Sequence, residues 1–471
     1  MSQTDLLSYI REGRTMTRSE KLRLIVQLSV PSILAQISAT VMFFIDAAMV
    51  GHLGAKATAS IGLVETTTWL MGGLGAAANM GFSVQVAHYI GANDFEGARR
   101  VLRQSLVCSL AWSVMLSTIG LIIHKQLPFW LGGSPDIASD ASTYFMLVGF
   151  AGIFYQMDGL GGSMLKCSGN MKIPSMLNIL MCGLDVLFNY IFIYKMSMGV
   201  KGAAMGTALA EMVIAVLMLY FLLVRNDMLC LFGKKAAQRP PSSAQATASF
   251  RPTASVVGMA FKIGAPMALQ HVLMGSAQIV STIIVAPLGT VAIAANSLAI
   301  TVESLCYMPG YGIAEAATTL VGQGIGAGQR MLTRSLAFMS VGLGIVVMTL
   351  MGVLMFVFAP QLMGLMSPVE EVIGLGSNVL RIEAFAEPMF AAAIVCNGVF
   401  IGAGDTLKPA IMSLLSMWGL RLTMAWWLSK EYGLKGVWTA MALELTFRGI
   451  IFLTRLWKGN WNKQLVPTSR T

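Results

Sequence analysis

The sequence predicts an all-α membrane protein with twelve transmembrane helices in two homologous six-helix lobes. Composition, the distribution of cationic residues and an internal repeat all support this fold. Of the 471 residues, 56% are hydrophobic and only 11% are charged, whereas soluble domains carry about 25% charged residues. Residues 341–358 contain no charge at all, and a run of about 18 such residues indicates a membrane-spanning helix. With a mean hydropathy of +0.70, the chain requires a lipid environment.

Blocks of apolar residues bounded by charges and polar turns define the predicted spans. In the first half they lie near 22–48, 57–84, 101–124, 140–165, 173–195 and 202–224. In the second half they lie near 257–286, 292–320, 333–358, 373–400, 409–430 and 434–457.

The distribution of Lys and Arg predicts the orientation. With the N-terminus inside, inner segments hold 23 of the 32 cationic residues, outer loops hold six and spans hold three. Because cationic residues concentrate in cytoplasmic loops, we expect a multi-pass protein of the plasma (inner) membrane with both termini cytoplasmic. The net charge of +10 is then a topology signal, so nucleic acid is not an expected partner. The six cysteines show no CxxC spacing, so we expect neither disulfides nor a zinc site. No cofactor is expected.

An internal repeat divides the chain into two halves. One constant shift in residue number superimposes short strings from the first span to the fifth, and these pairs are Pro31 with Pro266, Leu53-Gly54 with Leu288-Gly289, Ile90-Gly91-Ala92 with Ile325-Gly326-Ala327, Gly169 with Gly404, and Pro174 with Pro409. We therefore predict an N-terminal lobe (1–232), a cytoplasmic linker (233–252) and a C-terminal lobe (253–471). Two parallel six-helix repeats are typical of a secondary transporter with its site between the halves; a duplicated scaffold in a membrane enzyme is the alternative.

Several strings resemble a known family. From Pro31 the chain reads PSILAQISATVMFFIDAAMVGHLGAKATASIGL, and the second half contains APLGTVAIAANSLA, MPGYGIAEAATTLVGQGIGAG and GAGDTLKP. In this order they resemble the multidrug and toxic compound extrusion (MATE) family over essentially the whole chain. The resemblance implies two lobes that alternately expose a site to each side and export organic cations or drugs in antiport with protons, which we prefer, or sodium ions. A monomer in the lipid bilayer is expected.

Charged residues within spans are costly in lipid and are therefore functional candidates. Asp46 follows an apolar stretch near the end of the first span, where the resemblance implies an essential acid; an interfacial carboxylate is the alternative. Asp185 and Asn189 lie four residues apart on the fifth span and share a face. The resemblance implies an Asn followed by an Asp here, so the order is exchanged. These three residues form the predicted proton site, or a possible sodium site, although a structural hydrogen-bonded pair on the fifth span remains open.

The predicted substrate cavity contains Tyr144, Asp158 and Thr207. Tyr144 and Thr207 fall where the resemblance implies polar partners of the site, and Asp158 is an acid in an apolar context. In the second half, the positions at which some relatives carry acids are Met274 and Phe390. The acids present there have no assigned role, and they are Glu303, Glu315, Glu383, Glu387 and Glu444. The spacing of Glu444 and Arg448 predicts a helical ion pair.

Other activities have weaker support. Gly402-Ala403-Gly404-Asp405 matches the GxGD string of intramembrane aspartyl proteases, but the chain lacks the second, Tyr-Asp string. There is no GxxxxGK[ST] phosphate loop, so neither an enzyme nor an ATP-driven pump is expected. The main alternative is a related flippase for lipid-linked or amphiphilic substrates. Such proteins tend to line the cleft with cations, whereas the membrane residues of the first half are mainly acidic.

Overall fold

The computed structural model describes residues 3–232, 249–459 and 461–462, which form helices and connecting turns without a β-strand. The first half contains α1 Gln3–Glu12, α2 Arg18–Gly51, α3 Ala55–Gly91, α4 Phe95–Ile123, α5 Leu127–Trp130, α6 Pro135–Cys167, α7 Lys172–Asn189 and α8 Val200–Tyr220. The second contains α9 Ala254–Val285, α10 Thr290–Gly326, α11 Arg330–Met366, α12 Glu370–Ala384, α13 Glu387–Gly402, α14 Leu407–Leu414 and α15 Leu422–Lys458. The π-helical turns Tyr190–Lys195, Phe221–Arg225 and Leu415–Arg421 extend α7, α8 and α14.

These helices account for the twelve predicted spans. Within the described residues, nine helical stretches are long and apolar enough to cross a membrane, and α12 with α13 forms a tenth that is bent by 59°. The last stretch has 52 residues and contains a non-helical Gly433. Since a span needs about 20 residues, it supplies two spans. The 37-residue α3, which is the repeat counterpart of α10, completes the set.

The repeat predicted from the sequence is confirmed by the helix ends. Helices α3, α4 and α7 begin at positions 55, 95 and 172, and α10, α11 and α14 begin at the equivalent positions 290, 330 and 407 of the second half. The turns match as well: Gly54 and Gly289 have φ values of 103° and 96°, and Gly199 and Gly433 have φ values of 58° and 57°. Because residues with a Cβ rarely adopt these φ angles, glycine is favoured at each of these turns.

The described residues pack into two compact units that differ from the predicted lobes. The N-unit comprises residues 38–268, and the C-unit comprises residues 3–37 and 269–462. The first part of α2 thus packs within the C-unit and the first part of α9 within the N-unit. The predicted lobe boundaries at 1–232 and 253–471 stay a prediction about the repeat, and residues 233–248 of the predicted linker lie outside the described residues.

Glycines lie where the first part of α2 packs in the C-unit and where the first part of α9 packs in the N-unit. In the C-unit, a Cβ at Gly312 would lie 2.6 Å from the backbone nitrogen of Ile33 in α2. In the N-unit, a Cβ at Gly81 would lie 2.3 Å from the carbonyl oxygen of Ala260 in α9. Helices can approach this closely only where one of them lacks a side chain. The glycine-rich composition therefore serves backbone-to-backbone packing.

The turn at Gly289 gives a first prediction. Gly289 has φ 96° and ψ 169°, a region that is open essentially to glycine alone and costs other residues about 1–3 kcal/mol. Gly289→Ala should therefore lower the free energy of unfolding by about that amount, measured as a lower melting temperature of the detergent-purified protein. Gly275→Ala is the matched control, because a Cβ there meets no atom within 4 Å. Equal stability of Gly289→Ala and wild type would contradict the turn geometry.

Candidate functional site

The three residues predicted as the proton site meet inside the N-unit. The Asn189 amide Nδ2 donates to Asp46 Oδ1 and to Asp185 Oδ2, and both distances are 3.1 Å. Asp185 and Asn189 are buried at 0% and 2% exposure, whereas Asp46 on α2 is half-buried. The two carboxyl groups also interact directly with each other. One amide thus bridges two acids from different helices.

The local backbone explains how Asn189 reaches this position. Asn189 is the last residue of α7, and the π-helical turn Tyr190–Lys195 follows it at once; such turns are frequent at functional sites. On the neighbouring α8, a Cβ at Gly206 would lie 2.0 Å from Asn189 Oδ1. Only glycine leaves room for this side chain. The carbonyl oxygen therefore lies against α8 while the amide nitrogen faces the acids.

Thr207 and Tyr144 lie near this cluster in different ways. Thr207 on α8 interacts with Asp185 directly. Tyr144 on α6 packs among Val64, Leu127 and Phe145, and its interaction with Asp46 and Asp185 is electrostatic. The structure therefore places Thr207 next to Asp185, whereas Tyr144 borders the acids from an apolar cluster. Their predicted role in substrate binding stays a prediction.

Asp158 lies in a second pair of acids within the N-unit. It interacts electrostatically with Glu211, which is 6% exposed on α8. Asp158 Oδ1 and Glu211 Oε1 are both buried without a hydrogen-bond partner among the described residues. Glu211 was not among the residues predicted from the sequence, although it is an acid within the apolar string ALAEMVIAV, four residues after Thr207. Thr207 and Glu211 share one face of α8, so both acid pairs border the same helix face.

A buried amide network fixes the helix that carries Asp158. Gln156 Nε2 donates to Asn79 Oδ1 at 2.8 Å, and Asn79 Nδ2 donates to the Gln156 carbonyl at 3.2 Å. Ser109 on α4 donates to the same Asn79 oxygen at 3.1 Å. A Cβ at Gly75 would collide with the Gln156 amide. These bonds join α3, α4 and α6, and they were not predicted from the sequence.

The acids of the second half occupy two kinds of environment. Glu444 accepts from Arg448 Nε at 2.7 Å, which confirms the predicted ion pair, and Glu315 accepts from Gln36 at 3.2 Å. Glu303, Glu383 and Glu387 are buried at 6%, 0% and 0% exposure, as Glu444 is at 0%. Unlike Glu444, Glu383 and Glu387 have no hydrogen-bond partner for either carboxyl oxygen among the described residues. Asp405 of the GxGD string forms an ion pair with Arg455.

Within residues 3–232, 249–459 and 461–462, no three His, Cys, Asp or Glu side chains converge as metal ligands would. At the predicted site, the Asn189 N–H donors face the space between the carboxylates. A sodium ion there would require oxygen ligands on that side. Sodium binding by Asp46, Asp185 and Asn189 stays a prediction.

The helices, the repeat and the buried acids together define a multi-pass α-helical membrane transporter built from two six-helix lobes. The chain belongs to the MatE family, whose model matches residues 31–191 and 266–427. This confirms the resemblance found in the sequence. The two matched ranges start at Pro31 and Pro266, which are the first pair of the internal repeat.

Individual relatives agree over nearly the full length. A probable multidrug resistance protein NorM from Thermotoga maritima is 25% identical over 450 residues, covering 94% of each chain. A crystal structure of a MATE protein in complex with MaL6 has a TM-score of 0.85 at 22% identity, covering 94% of this chain and 99% of that one. A MOP superfamily transporter from Pyrococcus furiosus, described as having a binding pocket of reverse polarity, has a TM-score of 0.86 at 21% identity over 97% and 98% of the chains. These structures support the fold.

The contact between Gly206 and Asn189 gives a second prediction. Gly206→Ala would place a methyl group 2.0 Å from Asn189 Oδ1, which forces the amide away from Asp46 and Asp185. Overpacking of this kind costs about 1–3 kcal/mol, so the melting temperature of the purified protein should fall. Gly183→Ala on α7 is the control, because a Cβ there meets nothing within 4 Å. Equal melting temperatures for the two variants would contradict the close approach of α8 to Asn189.

Proposed function

We propose that the protein is a secondary efflux transporter that exports organic cations, including drugs, in antiport with protons. The observation that carries this proposal is the pair Asp46 and Asp185 held on the single amide of Asn189. It receives further support from family membership and from the names of relatives such as the Thermotoga maritima protein. The protein acts as a transporter rather than an enzyme, in the inner membrane, as a monomer with both termini in the cytoplasm.

Competition at the two carboxylates supplies the coupling. Two adjacent carboxylates repel each other when both are ionised, and in lipid this repulsion is weakly screened. A proton or a cationic substrate relieves it, so the binding of one disfavours the other. When the two lobes alternately open the site to each side, an incoming proton displaces the outgoing cation. Such coupling between two ligands typically amounts to about 1–3 kcal/mol, or roughly 5–150-fold in affinity.

The orientation of Asn189 favours protons over sodium as the coupling ion. Its amide N–H groups face both carboxylates, and its Oδ1 lies against Gly206. Sodium, a hard cation, would need oxygen ligands where these hydrogens lie. Protons attach directly to a carboxylate oxygen and leave the amide in place. We therefore expect export to follow the pH gradient without sodium.

A flippase is the second candidate, since the same fold is found in a transporter whose pocket has reverse polarity. The acids Asp46, Asp185, Asp158 and Glu211, all within the N-unit, favour a cationic cargo over an anionic lipid-linked one. Uptake of a radiolabelled cationic drug should exceed uptake of a lipid-linked oligosaccharide in the same proteoliposomes. The reverse preference would favour the flippase.

A third prediction tests the coupling acid. The amide of Asp46→Asn cannot release a proton. Export of a cationic dye from proteoliposomes should therefore lose its stimulation by a pH gradient. In the wild type we expect that stimulation to be roughly 5–150-fold, the range typical of coupling between two ligands. Asp136→Asn is the control, because Asp136 forms an exposed ion pair with Lys56 at 3.7 Å and should retain full stimulation. The assay is run with sodium and with choline as the only monovalent cation. Full pH-driven export by Asp46→Asn would rule out the assignment, and a requirement for sodium would replace protons as the coupling ion.

A fourth prediction concerns the second acid pair. If Asp158 and Glu211 contact the positive charge of the substrate, Asp158→Asn and Glu211→Gln should each raise the KM for a monocationic dye by roughly 10–150-fold. A hydrogen bond to a charged group is worth about 1.5–3 kcal/mol, and each 1.4 kcal/mol is about tenfold. The KM for a neutral substrate should stay unchanged. Asp140→Asn, an exposed acid near the start of the same helix as Asp158, serves as the control. Equal effects on cationic and neutral substrates would show that the pair is structural.

A further inference from the structure

The clearest departure from the internal repeat is a broken helix in the C-unit. Helix α6 runs without interruption from residue 135 to 167. Its repeat counterpart covers the equivalent positions 370 to 402, but it is split into α12 and α13 with a bend of 59°. Pro388 lies in the first turn of α13, and a proline cannot continue the hydrogen bonding of the preceding helix. Pro388 therefore accounts for the break.

The break satisfies its own backbone groups. The Ala386 N–H donates to the Glu383 carbonyl at 2.7 Å, and the Phe390 N–H donates to the Ala386 carbonyl at 2.8 Å. In membranes, irregular backbone is tolerated where it is buried in protein and bonded in this way. These hydrogen bonds join the main chain across the break without a contribution from a side chain.

The side chains at the break are not satisfied. Glu383 is the penultimate residue of α12 and Glu387 is the first residue of α13, and both are 0% exposed. None of their four carboxyl oxygens has a hydrogen-bond partner among the described residues. Their repeat counterparts are Val148 and Gly152, neither of which ionises. The break and the two unpartnered acids therefore occur together, in the second half alone.

Several charged and titratable side chains surround the two acids. Glu383 interacts with Glu303 of α10, with Glu387, with Glu444 of α15 and with Arg421 at the end of the π-helical turn, and Glu387 interacts with Glu303. Cys306, Tyr307 and Tyr311 on α10 complete this environment, together with Arg448 on α15. Helix α11 approaches through Gly352, whose added Cβ would lie 3.1 Å from the Glu387 Cβ.

The two arginines do not balance the four glutamates. Glu444 is engaged by Arg448, with Nη2 at 2.6 Å, and by the Ser416 hydroxyl. Arg421 interacts most strongly with Glu444 and then with Glu303. If every group were ionised, the cluster would carry two uncompensated negative charges, each costing about 2.5–3.5 kcal/mol in the membrane interior. The acids without a bonded partner, Glu383 and Glu387, are the ones left to be neutralised.

We propose that Glu383 and Glu387 form a second proton-binding site, built at the helix break of the C-unit and bordered by Glu303. Each carboxylate takes up one proton from solvent on an oxygen that otherwise has no partner and returns it reversibly. The site differs from positions 274 and 390, where the resemblance would put acids and where this chain has Met274 and Phe390. The existence of the site is independent of the proposed antiport; its contribution of protons to each transport cycle rests on that function.

Infrared difference spectroscopy of the reconstituted protein tests the site directly, since protonated carboxyl groups have a carbonyl band that ionised ones lack. The background variant Asp46→Asn/Asp158→Asn/Asp185→Asn/Glu211→Gln removes the acids of the N-unit. Between alkaline buffer and buffer of about pH 6, in which exposed carboxyl groups remain ionised, it should still gain a protonated-carboxyl band. Adding Glu383→Gln and Glu387→Gln should remove that gain, while the exposed acid Glu371, changed by Glu371→Gln, should leave it intact. Because the background variant alone must show the band, the test does not depend on the folding of the double Gln variant.

Three outcomes would overturn the proposal: no band in the background variant, a band unchanged by both Gln substitutions, or a band abolished by sodium at constant pH, which would make the site a metal-cation site. A transport measurement then addresses its use. The number of protons taken up per exported dye should be lower in Glu387→Gln than in Glu371→Gln. If Asp46→Asn retains pH-driven export while the infrared band still depends on Glu383 and Glu387, the proposed coupling by Asp46 is wrong and the second proton-binding site is still supported.

Discussion

The cost of placing charge in a membrane governs the interior of this protein. A carboxylate in the hydrocarbon region costs about 2.5–3.5 kcal/mol, so each buried acid needs a partner, a proton or a cation. In the N-unit, one amide serves two acids, because Asn189 donates to both Asp46 and Asp185. Because the amide is neutral, the two carboxylates carry two uncompensated negative charges when both are ionised. A site that remains incompletely neutralised can exchange its ligand, whereas Glu444 with Arg448 is already paired.

The two halves share their backbone geometry but differ in the positions of their charged residues. Helix starts and glycine turns recur at equivalent positions of the two halves because positive φ angles and close helix contacts depend on residues that have no side chain. Asp46, however, corresponds to Ser281, and Glu387 corresponds to Gly152. Geometry that both halves need has been retained in both. The acids differ between the units, so each unit has its own chemistry on a shared scaffold.

Much of this was predictable from the sequence, for identifiable reasons. Spans follow from apolar length, and the repeat follows from glycine and proline positions, so α3 and α10 were both expected. The meeting of Asp46 with Asp185 and Asn189 was predicted through the resemblance to relatives. The pairing of Glu211 with Asp158 was not predictable, because the two residues lie on different helices, far apart in the sequence. The exchange of the first parts of α2 and α9 between the units was also unpredictable, because hydropathy carries no information about which neighbour a helix contacts.

The helix break in the C-unit is predictable from the local sequence, but the burial of its two acids is not. Pro388 indicates an interrupted helix by itself, but an interruption alone assigns no role to nearby acids. The burial of Glu383 and Glu387 depends on helices that come from elsewhere in the chain. Gly352 on α11 makes room for Glu387, and α10 supplies Glu303. In a straight helix these two acids would stack one turn apart on one face. The bend instead changes their relative direction, so the proline determines how a pair of ordinary helical neighbours is presented to Glu303.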